Sequence, residues 1–300
     1  VFKKMGDLGL LGIKYPTEFG GMGLDFSYSM VMAEALGECN AGGVPMAISV
    51  QSDMATPSLH RYGSEELKQE FLVPAVAGTA VAAIAVTEPD AGSDVAGLRT
   101  RARRDGDEWV IDGTKWHVTS GDIADFFLVH AHVDGDPAKA TVFLVDKDLP
   151  GVELVRTPKY SHTFVFEHPI FAFDGVRVGE DAVLGEVGSG YELTKDWFVE
   201  ERIMIGARTM GAATRALDLS LVFANERVQF GEPIVGFQAI EFMLADMAAQ
   251  IMAAKSMLYR VGWQAARGGA ERKQVHALAS AVTLIDGLVV GTLTGAALWQ

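Results

Sequence analysis

The sequence has little of several features that mark particular classes of protein. Its 300 residues include one cysteine, Cys39, so no disulfide can form within the chain and a reducing compartment would suit it. Basic residues number 25 against 39 acidic ones, and the net charge of −14 argues against nucleic-acid binding, which depends on Lys and Arg contacts to phosphate. We therefore expect no nucleic-acid partner, and a location in the cytoplasm or, in a eukaryote, the mitochondrial matrix.

Long hydrophobic runs and clusters of metal ligands are also missing. The uncharged run 72–87 is too short to span a bilayer and contains Pro74, and a later apolar run is interrupted by Asp286. His130 and His132 would share one face of a strand, but no third ligand is spaced to complete a metal site, so we expect both to face solvent. The sequence thus predicts neither a membrane partner nor a bound metal.

What the sequence does contain is a change of period along its length. Residues 27–37 and 65–76 carry apolar side chains at three- and four-residue spacing, which is typical of helices. From about residue 85 the spacing falls to two and Asp-Gly pairs separate β-rich runs, which indicates a mostly antiparallel sheet. Amphipathic helical patterns then return, and they cover residues 192–228, 237–267 and 273–300.

These patterns predict a multidomain α+β protein with three parts. The N-terminal helical domain is expected over 1–84, the central antiparallel β domain over 85–186, and a C-terminal helical bundle over 187–300. Ser64 is placed to cap the helix that begins after it.

The segment 85–97 couples the end of an apolar strand to a turn rich in hydroxyl groups and glycine. Pro89 and Gly92 stop regular structure there. Successive backbone N–H groups in such a turn form a concave donor site, and the hydroxyls of Thr87 and Ser93 add to it, so the turn could hold the carbonyl groups of a polar ring. A surface turn capped by Ser93 is the alternative interpretation.

The same segment resembles the first signature of the acyl-CoA dehydrogenases, and it fills every fixed position of that signature. The resemblance extends along essentially the whole chain, including residues 9–23 and 62–68. It implies the acyl-CoA dehydrogenase fold with FAD as cofactor, and it implies that Ser93 also contacts the substrate. The residues implied to contact FAD in this region are Ile84, Val86, Thr87, Gly92 and Ser93.

The resemblance also implies an activity and partners. Members of this family oxidise an acyl-CoA thioester to the trans-2-enoyl-CoA and pass the electrons to electron-transfer flavoprotein. They form homo-oligomers, so a dimer or a tetramer is expected. Relative to the usual length of the family, parts would be absent at both ends, and we expect the sequence to be a piece of a longer protein.

Residues 113–121 resemble a second signature, a strand in which an aromatic residue shields one flavin face and a threonine hydroxyl lies near the flavin redox centre. Thr119 matches the threonine, and His117 stands at the aromatic position, which is a departure. Imidazole is planar enough to stack and can titrate near neutral pH. Alternation measured from Thr119 favours a flavin-facing His117, and a half-buried structural histidine is the alternative.

Residues 227–238 resemble a third signature. A helix is expected to run up to Arg227 and to end with Gly231 as its C-cap. A guanidinium at this corner could clamp a pyrophosphate while Phe230 packs on adenine or ribose. In the family this corner reaches the FAD of a neighbouring subunit; a helical hairpin with an exposed arginine is the alternative. The residues assigned to the cofactor here are Arg227, Gln229, Phe230 and Gln238.

Glu201 and Arg202 are expected to open the helix over 192–228. Arg202 matches the family's arginine at the substrate end of the bundle. Glu201 stands where the isovaleryl-CoA and long-chain dehydrogenases carry their catalytic carboxylate, whereas most branches place the base on a later loop, which would follow Gln300. Glu201 is therefore either the general base or a first-turn glutamate favoured by the helix dipole. Val199 departs from a family Asp that contacts the pantetheine chain.

Two other functions fit the same residues. An oxidase or monooxygenase on this fold would return the electrons to oxygen. An oxygen-consumption assay would separate it from a dehydrogenase. A subunit that binds flavin or acyl-CoA but has lost its base would be inactive, and the residues after Gln300 would decide this second alternative.

Overall fold

The computed structural model of the chain describes residues 1–159 and 167–267. The chain splits into two compact units. The first comprises Val1–Leu24 and Ala41–Phe198, and the second comprises Asp25–Asn40 together with the chain from Val199 onward. The predicted order of helices, sheet and helices is confirmed, and the helix predicted over 273–300 lies outside the described residues.

Short helices occupy the N-terminal region. They are α1 (Phe2–Asp7), α2 (Phe26–Gly37), α3 (Gly43–Ser49), α4 (Thr56–Tyr62), α5 (Glu65–Leu67) and α6 (Val73–Val76). The π-helical segments Val50–Ala55 and Lys68–Leu72 join α3 to α4 and α5 to α6. The Ser64 hydroxyl accepts a hydrogen bond from the N–H of Leu67 at 3.2 Å, so the predicted cap is confirmed.

The central sheet has eight strands in the part of the chain that the structure describes. They are β1 (Ala82–Ala85), β2 (Arg101–Asp105), β3 (Glu108–Lys115), β4 (Phe126–Val133), β5 (Ala140–Asp146), β6 (Val152–Arg156), β7 (Ile170–Gly179) and β8 (Val183–Leu184). Their order is β6-β7-β3-β2-β4-β5-β8, with β1 beside the first half of β4. The sheet is mixed rather than purely antiparallel, because β1 and β2 both run parallel to β4.

The four Asp-Gly pairs of the sheet region have two different roles. Asp105-Gly106 and Asp134-Gly135 lie in turns, and both glycines have a positive φ. Asp112-Gly113 and Asp174-Gly175 lie inside β3 and β7, so the expectation that they separate strands is wrong. They face each other at a β-bulge, where the Asp112 carboxylate accepts from the N–H of Gly175 at 2.8 Å.

Both faces of β4 are covered, which explains its continuous apolar sequence. On one face Phe127 and Val129 pack with Phe143 of β5 and Phe171 of β7. On the other face the strand packs against the N-terminal helices; its partners include Leu59, Leu72 and Leu144. All eight residues of β4 are buried, as is typical of a strand with two covered faces.

Up to residue 267, where the described residues end, the C-terminal part contains two long helices and a small hairpin. The elements are α7 (Gly190–Glu226), β9 (Val228–Gln229), β10 (Glu232–Pro233) and α8 (Gln238–Ala266). Glu201 lies about three turns inside α7, so the expectation that it opens the helix is wrong. The chain turns into the helix at Ser189, whose carbonyl accepts from the N–H groups of Glu192 and Leu193.

The predicted cap at Gly231 is also wrong. Helix α7 ends at Glu226, and Gly231 is instead the second turn residue of the β9–β10 hairpin. Phe230 and Gly231 have φ values of 53° and 91°, which is the pattern of a two-residue turn with positive φ at both positions.

Within the second unit, α2 packs backbone to backbone against α7. A Cβ atom at Gly211 would overlap the carbonyl oxygen of Glu34, and one at Gly37 would overlap the carbonyl oxygen of Arg208. The Glu34 carboxylate also accepts from the hydroxyl of Tyr259 on α8 at 2.6 Å. Burial and this hydrogen bond raise the pKa of Tyr259 to about 12.

Candidate functional site

The first two sequence motifs lie together at the ends of β1 and β3. The carbonyl of Thr87 accepts from the N–H of Trp116 at 2.7 Å, and the ammonium group of Lys115 donates to the carbonyl of Val86 at 3.0 Å. The turn that follows β1 is closed by two hydrogen bonds between Glu88 and Ala91. Two segments that are almost thirty residues apart in the sequence therefore form one surface of the first unit.

A buried ion pair supports this surface, and our sequence interpretation did not identify it. Lys115 Nζ lies 2.7 Å from Glu88 Oε1, and both side chains are almost fully buried. The Glu88 carboxylate also accepts from the N–H of Arg99 at 2.6 Å, and from the N–H and hydroxyl of Thr100 at 3.0 and 2.6 Å. A Cβ at Gly113 would overlap Thr100, so glycine is required there for this approach.

Burial and the charge of the partner act in opposite directions on the pKa values of both residues. Burial lowers the pKa of Lys115 to about 8, against the opposing effect of Glu88. Burial on its own would raise the pKa of Glu88, but the charge of Lys115 and the hydrogen bonds to the carboxylate lower it overall. The signal in the sequence was a lysine at the end of a β-rich run, together with a glutamate in the turn.

The first turn offers hydrogen-bond donors to a ligand. Ile84, Val86 and Thr87 are half-buried, whereas Gly92 and Ser93 are exposed. No group among residues 1–159 and 167–267 accepts from the N–H groups of Thr87, Gly92 or Ser93. Free N–H groups and hydroxyls at a half-buried position suit a ligand that carries ring carbonyl acceptors, which is the chemistry of the flavin pyrimidine edge.

The second turn does not continue the strand as the sequence predicted. Strand β3 ends at Lys115, and His117 is exposed with a φ of 54°. The strand alternation that would put His117 and Thr119 on one face is therefore wrong, because a residue with positive φ breaks the extended backbone. Thr119 is half-buried, and its hydroxyl lies 2.8 Å from Nδ1 of His168.

The segment 167–169 holds this second turn in place. The N–H of Val118 donates to the carbonyl of Pro169 at 3.1 Å, and the N–H of Ser120 donates to the carbonyl of Glu167 at 3.0 Å. The Ser120 hydroxyl is buried and has no hydrogen-bond partner among the residues that the structure describes. His168 was not recognised from the sequence, because only the fold brings it to Thr119.

His130 and His132 are buried, with 4% and 2% of their surfaces exposed, so the expectation that they face solvent is wrong. They lie on β4, whose two faces are covered. Burial, followed by the positive charge of Lys115, lowers the pKa of His130 to about 3, and burial also lowers the pKa of His132. Both imidazoles are therefore neutral near pH 7.

These histidines line a cavity of about 400 Å³ in the first unit. Val95 and Leu98, which follow the Ser93 turn, form another part of its wall. Thr194 of α7 also lines it, with its hydroxyl 3.4 Å from Nδ1 of His130. The cavity combines apolar walls with two imidazoles, a hydroxyl group and Glu192, and its lining begins at Val95, two residues after Ser93.

The remaining predicted site residues lie in the second unit. Glu201 and Arg202 are half-buried on α7. The cluster on and beside the β9–β10 hairpin is exposed; its members are Arg227, Gln229, Phe230 and Gln238. Phe230 is 96% exposed, with its ring edge-on to that of Phe237 at 6.1 Å between centroids. The carbonyl of Arg227 accepts from the N–H of Ile234 at 2.9 Å, which fixes the base of the hairpin.

The described part of the chain, residues 1–159 and 167–267, contains no group of three or more His, Cys, Asp or Glu residues that could hold a metal ion. None of its helices is long and apolar enough to cross a membrane.

The chain matches the models of three acyl-CoA dehydrogenase domains, namely the N-terminal domain over residues 1–79, the middle domain over 83–172 and the C-terminal domain over 188–283. It is 38% identical over 266 residues to the benzylmalonyl-CoA dehydrogenase of Aromatoleum aromaticum, which covers 88% of this chain and 70% of the relative.

Solved structures give the same result. The butyryl-CoA dehydrogenase of Megasphaera elsdenii superposes with a TM-score of 0.92 at 28% identity, and the match covers 99% of this chain and 78% of the other. An acyl-CoA dehydrogenase of Bacillus anthracis in complex with FAD superposes with a TM-score of 0.85 at 31% identity, covering 98% and 51%. The chain thus belongs to the acyl-CoA dehydrogenase family, and it is an FAD-dependent oxidoreductase that acts on the CH–CH group of its donor.

Proposed function

We propose that this protein oxidises an acyl-CoA thioester to the trans-2-enoyl-CoA and passes the electrons to electron-transfer flavoprotein. The observation that carries the proposal is the joined surface of the two turns, in which hydrogen bonds from Trp116 and Lys115 hold the carbonyls of Thr87 and Val86. The free donors of this surface are arranged on rigid strand ends, which suits a cofactor site.

The first unit would hold the flavin ring of FAD with donors from both turns. The N–H and hydroxyl of Thr87 and the N–H groups of Gly92 and Ser93 would donate to the ring carbonyls, while Ile84 and Val86 would border it. Thr119 would present its hydroxyl near the redox centre, as the family resemblance implies. His117 is exposed and planar, and it would stack on the ring face. FAD would supply the acceptor for the two electrons that leave the substrate.

The cavity beside the Ser93 turn would receive part of the thioester arm. A pantetheine chain carries amide groups separated by methylenes, and the cavity offers neutral imidazoles and a hydroxyl between apolar walls. Val199 replaces the aspartate that resemblance would place against this arm. His130, His132 and Thr194 would supply polar contacts to it in this chain.

Glu201 would act as the general base that accepts the α-proton of the substrate. Its position about three turns inside α7 removes the alternative interpretation that the helix dipole favours it as a first-turn residue. Arg202, the next residue along the helix, would contact the substrate end of the site.

The exposed hairpin would serve the cofactor of a second copy of the chain in a dimer or tetramer. Arg227 would bind the pyrophosphate bidentately, and Gln229 and Gln238 would add hydrogen bonds nearby. Phe230 presents almost all of its ring to solvent in the isolated chain, and contact with an adenine or ribose would cover it.

The test is anaerobic reduction of the bound FAD by butyryl-, octanoyl-, palmitoyl- and isovaleryl-CoA in the wild-type protein and in Glu201→Gln. At least one thioester should reduce the wild-type flavin. In Glu201→Gln, reduction should be slower by about 10²-fold or more while FAD and acyl-CoA still bind, because the amide keeps the size of the side chain but cannot accept the proton. Normal reduction in this variant would place the base elsewhere.

Two measurements separate the proposed function from its alternatives. Rapid consumption of oxygen by the reduced protein would identify an oxidase or monooxygenase instead. Failure of every thioester to reduce a fully bound flavin would identify a subunit without a base. Reoxidation by electron-transfer flavoprotein at a rate well above that with oxygen is the result expected for a dehydrogenase.

A further inference from the structure

We propose that His168 is a positioning residue that sets the direction in which the Thr119 hydroxyl donates its proton, and thereby tunes the redox potential of the bound FAD. The inference rests on the proposed placement of Thr119 at the flavin redox centre. It concerns a residue outside all three sequence motifs.

The contact between the two residues is imposed by the backbone. The hydrogen bonds from Val118 to Pro169 and from Ser120 to Glu167 pair the two segments in an antiparallel manner. Thr119 and His168 stand opposite each other between these bonds, so their side chains lie on the same side of the pair. The distance of 2.8 Å between Thr119 Oγ1 and His168 Nδ1 is that of a full hydrogen bond.

A second contact anchors the histidine segment. The N–H of Glu167 donates to the Asp122 carboxylate at 3.3 Å. The ring of Phe171 lies where a Cβ at Gly121 would touch it, so no larger residue fits at Gly121 beside the turn. The imidazole is therefore held against Thr119 by its own segment and does not need a ligand to bring it there.

The chemistry follows from the single proton of a hydroxyl group. A threonine hydroxyl can donate one hydrogen bond while it accepts others, whereas a neutral imidazole nitrogen either donates or accepts according to its tautomer. The N5 atom of a flavin accepts a hydrogen bond in the oxidised state and donates one in the reduced state. Thr119 must therefore donate to the oxidised ring and accept from the reduced ring, and its proton must find another acceptor after reduction.

His168 supplies that acceptor. With the proton on Nδ1 it donates to Thr119, which leaves the hydroxyl proton for the oxidised ring. With Nδ1 unprotonated it accepts the hydroxyl proton, which leaves the oxygen for the reduced ring. With an apolar residue at position 168, the Thr119 hydroxyl can still donate to the oxidised flavin, but it has no acceptor when the flavin is reduced. A covered donor without an acceptor costs free energy. Removal of the imidazole should thus weaken binding of reduced FAD more than binding of oxidised FAD.

The experiment measures the midpoint potential of bound FAD in the holoprotein, alongside its thermal unfolding temperature. His168→Leu should make reduced FAD bind about tenfold more weakly relative to oxidised FAD, which corresponds to a midpoint potential lower by about 30 mV for a two-electron couple. His168→Asn should keep a potential close to that of the wild type, because an amide group can take the place of Nδ1 and can donate or accept.

The matched control repeats the leucine substitution in Thr119→Val, where no hydroxyl remains to be oriented. There His168→Leu should leave the potential unchanged. An equal shift with and without Thr119, or an unchanged potential in His168→Leu with FAD bound, would overturn the proposal. His168→Ala gives the same measurement if leucine prevents folding. A wild-type chain that takes up no FAD would instead refute the flavin site itself.

Discussion

Replacement of Lys115 by methionine should destabilise the first unit strongly and weaken FAD retention. The substitution keeps the apolar stem of the side chain but removes its ammonium group, which is bonded to Glu88 and to the carbonyl of Val86. The Glu88 carboxylate would then be buried without its counter-charge. Removal of one partner of a buried pair leaves an uncompensated buried charge, which is among the most destabilising single changes.

The hydrogen bonds that remain around Glu88 determine how much free energy of unfolding Lys115→Met loses. Breaking a buried ion pair costs about 3–5 kcal/mol of the free energy of unfolding, and the three surviving hydrogen bonds from Arg99 and Thr100 to Glu88 favour the lower end. About 3 kcal/mol lowers the unfolding temperature of a unit this size by about 6–12 °C. The carbonyl of Val86 also loses a donor, so the turn that follows it should hold FAD less tightly.

Differential scanning calorimetry and the ratio of FAD to protein after gel filtration test this expectation. Lys195→Met is the matched control, because Lys195 forms a surface pair with Glu192 in which the side chains are 42% and 65% exposed. That change should cost well below 1 kcal/mol and leave FAD bound. The double variant Lys115→Met with Glu88→Gln should be less destabilised than the sum of the single changes, since the two side chains interact directly.

Acid should reduce the difference between wild type and Lys115→Met. The pKa of Glu88 is lowered in the folded wild type, so its contribution to stability is fully present above the unfolded value of 4.5 and is lost as pH falls through the folded pKa. In Lys115→Met the positive charge that lowers the pKa of Glu88 is gone, while burial still raises it. The Glu88 carboxylate therefore takes up a proton more readily than in the wild type. Equal stability of Lys115→Met and Lys195→Met at pH 7 would refute the reasoning.

Two further changes test the second unit. Gly211→Ala should cost about 3 kcal/mol of the free energy of unfolding, because a Cβ there overlaps the carbonyl of Glu34. Gly236→Ala is the control in the same unit, because the added Cβ would meet only the Glu232 carboxylate at an ordinary contact distance of 3.6 Å; it should change stability by less than about 1 kcal/mol. Thermal unfolding compares the two variants, and equal stabilities would exclude a tight contact between α2 and α7. Arg227→Ala should raise the Kd for FAD about tenfold or more while the unfolding temperature of the FAD-free protein stays within about 1 °C, because an exposed arginine contributes little to folding. Unaltered FAD binding would remove Arg227 from the cofactor site.

Local signals predicted the helices well. The pattern over 192–228 became α7 over Gly190–Glu226, and the pattern over 237–267 became α8 over Gln238–Ala266. Helical periodicity and caps are encoded within a few residues, as the hydrogen bond of Ser64 illustrates. The start of α7 was predicted within two residues, but Glu201 was wrongly assigned to its first turn, which follows Ser189 and Gly190 instead.

The sheet shows where the local signal ends. Asp105-Gly106 and Asp112-Gly113 have the same two residues in the same order, yet the first forms a turn and the second lies at a bulge. The two pairs differ in their tertiary contacts, because Gly113 lies against Thr100 and the Asp112 carboxylate accepts a hydrogen bond from Gly175. His130 was misplaced for the same reason, because a second covered face is a property of the whole sheet.

The residues of the candidate site also fall into two groups, those that the sequence could identify and those that it could not. Motif positions such as Thr87 and Thr119 could be located from spacing and resemblance, and the structure brings their segments together. The residues that hold those positions could not be identified from the sequence, because Glu88 contacts Lys115 and Thr119 contacts His168 only once the sheet has formed. A sequence motif therefore names the residues that face a ligand more readily than those that support them.

The supporting network explains why the chain keeps a lysine in its core. An apolar pair of similar volume at positions 88 and 115 would avoid the desolvation of two charges and could be as stable. It could not donate to the carbonyl of Val86 or accept from the N–H groups of Arg99 and Thr100. Those bonds join the segment that follows β1 to the end of β3 and to the residues before β2. Because Gly113 admits Thr100 and Thr100 orients Glu88, the direction in which Thr87 presents its donors is determined by residues that never touch a ligand.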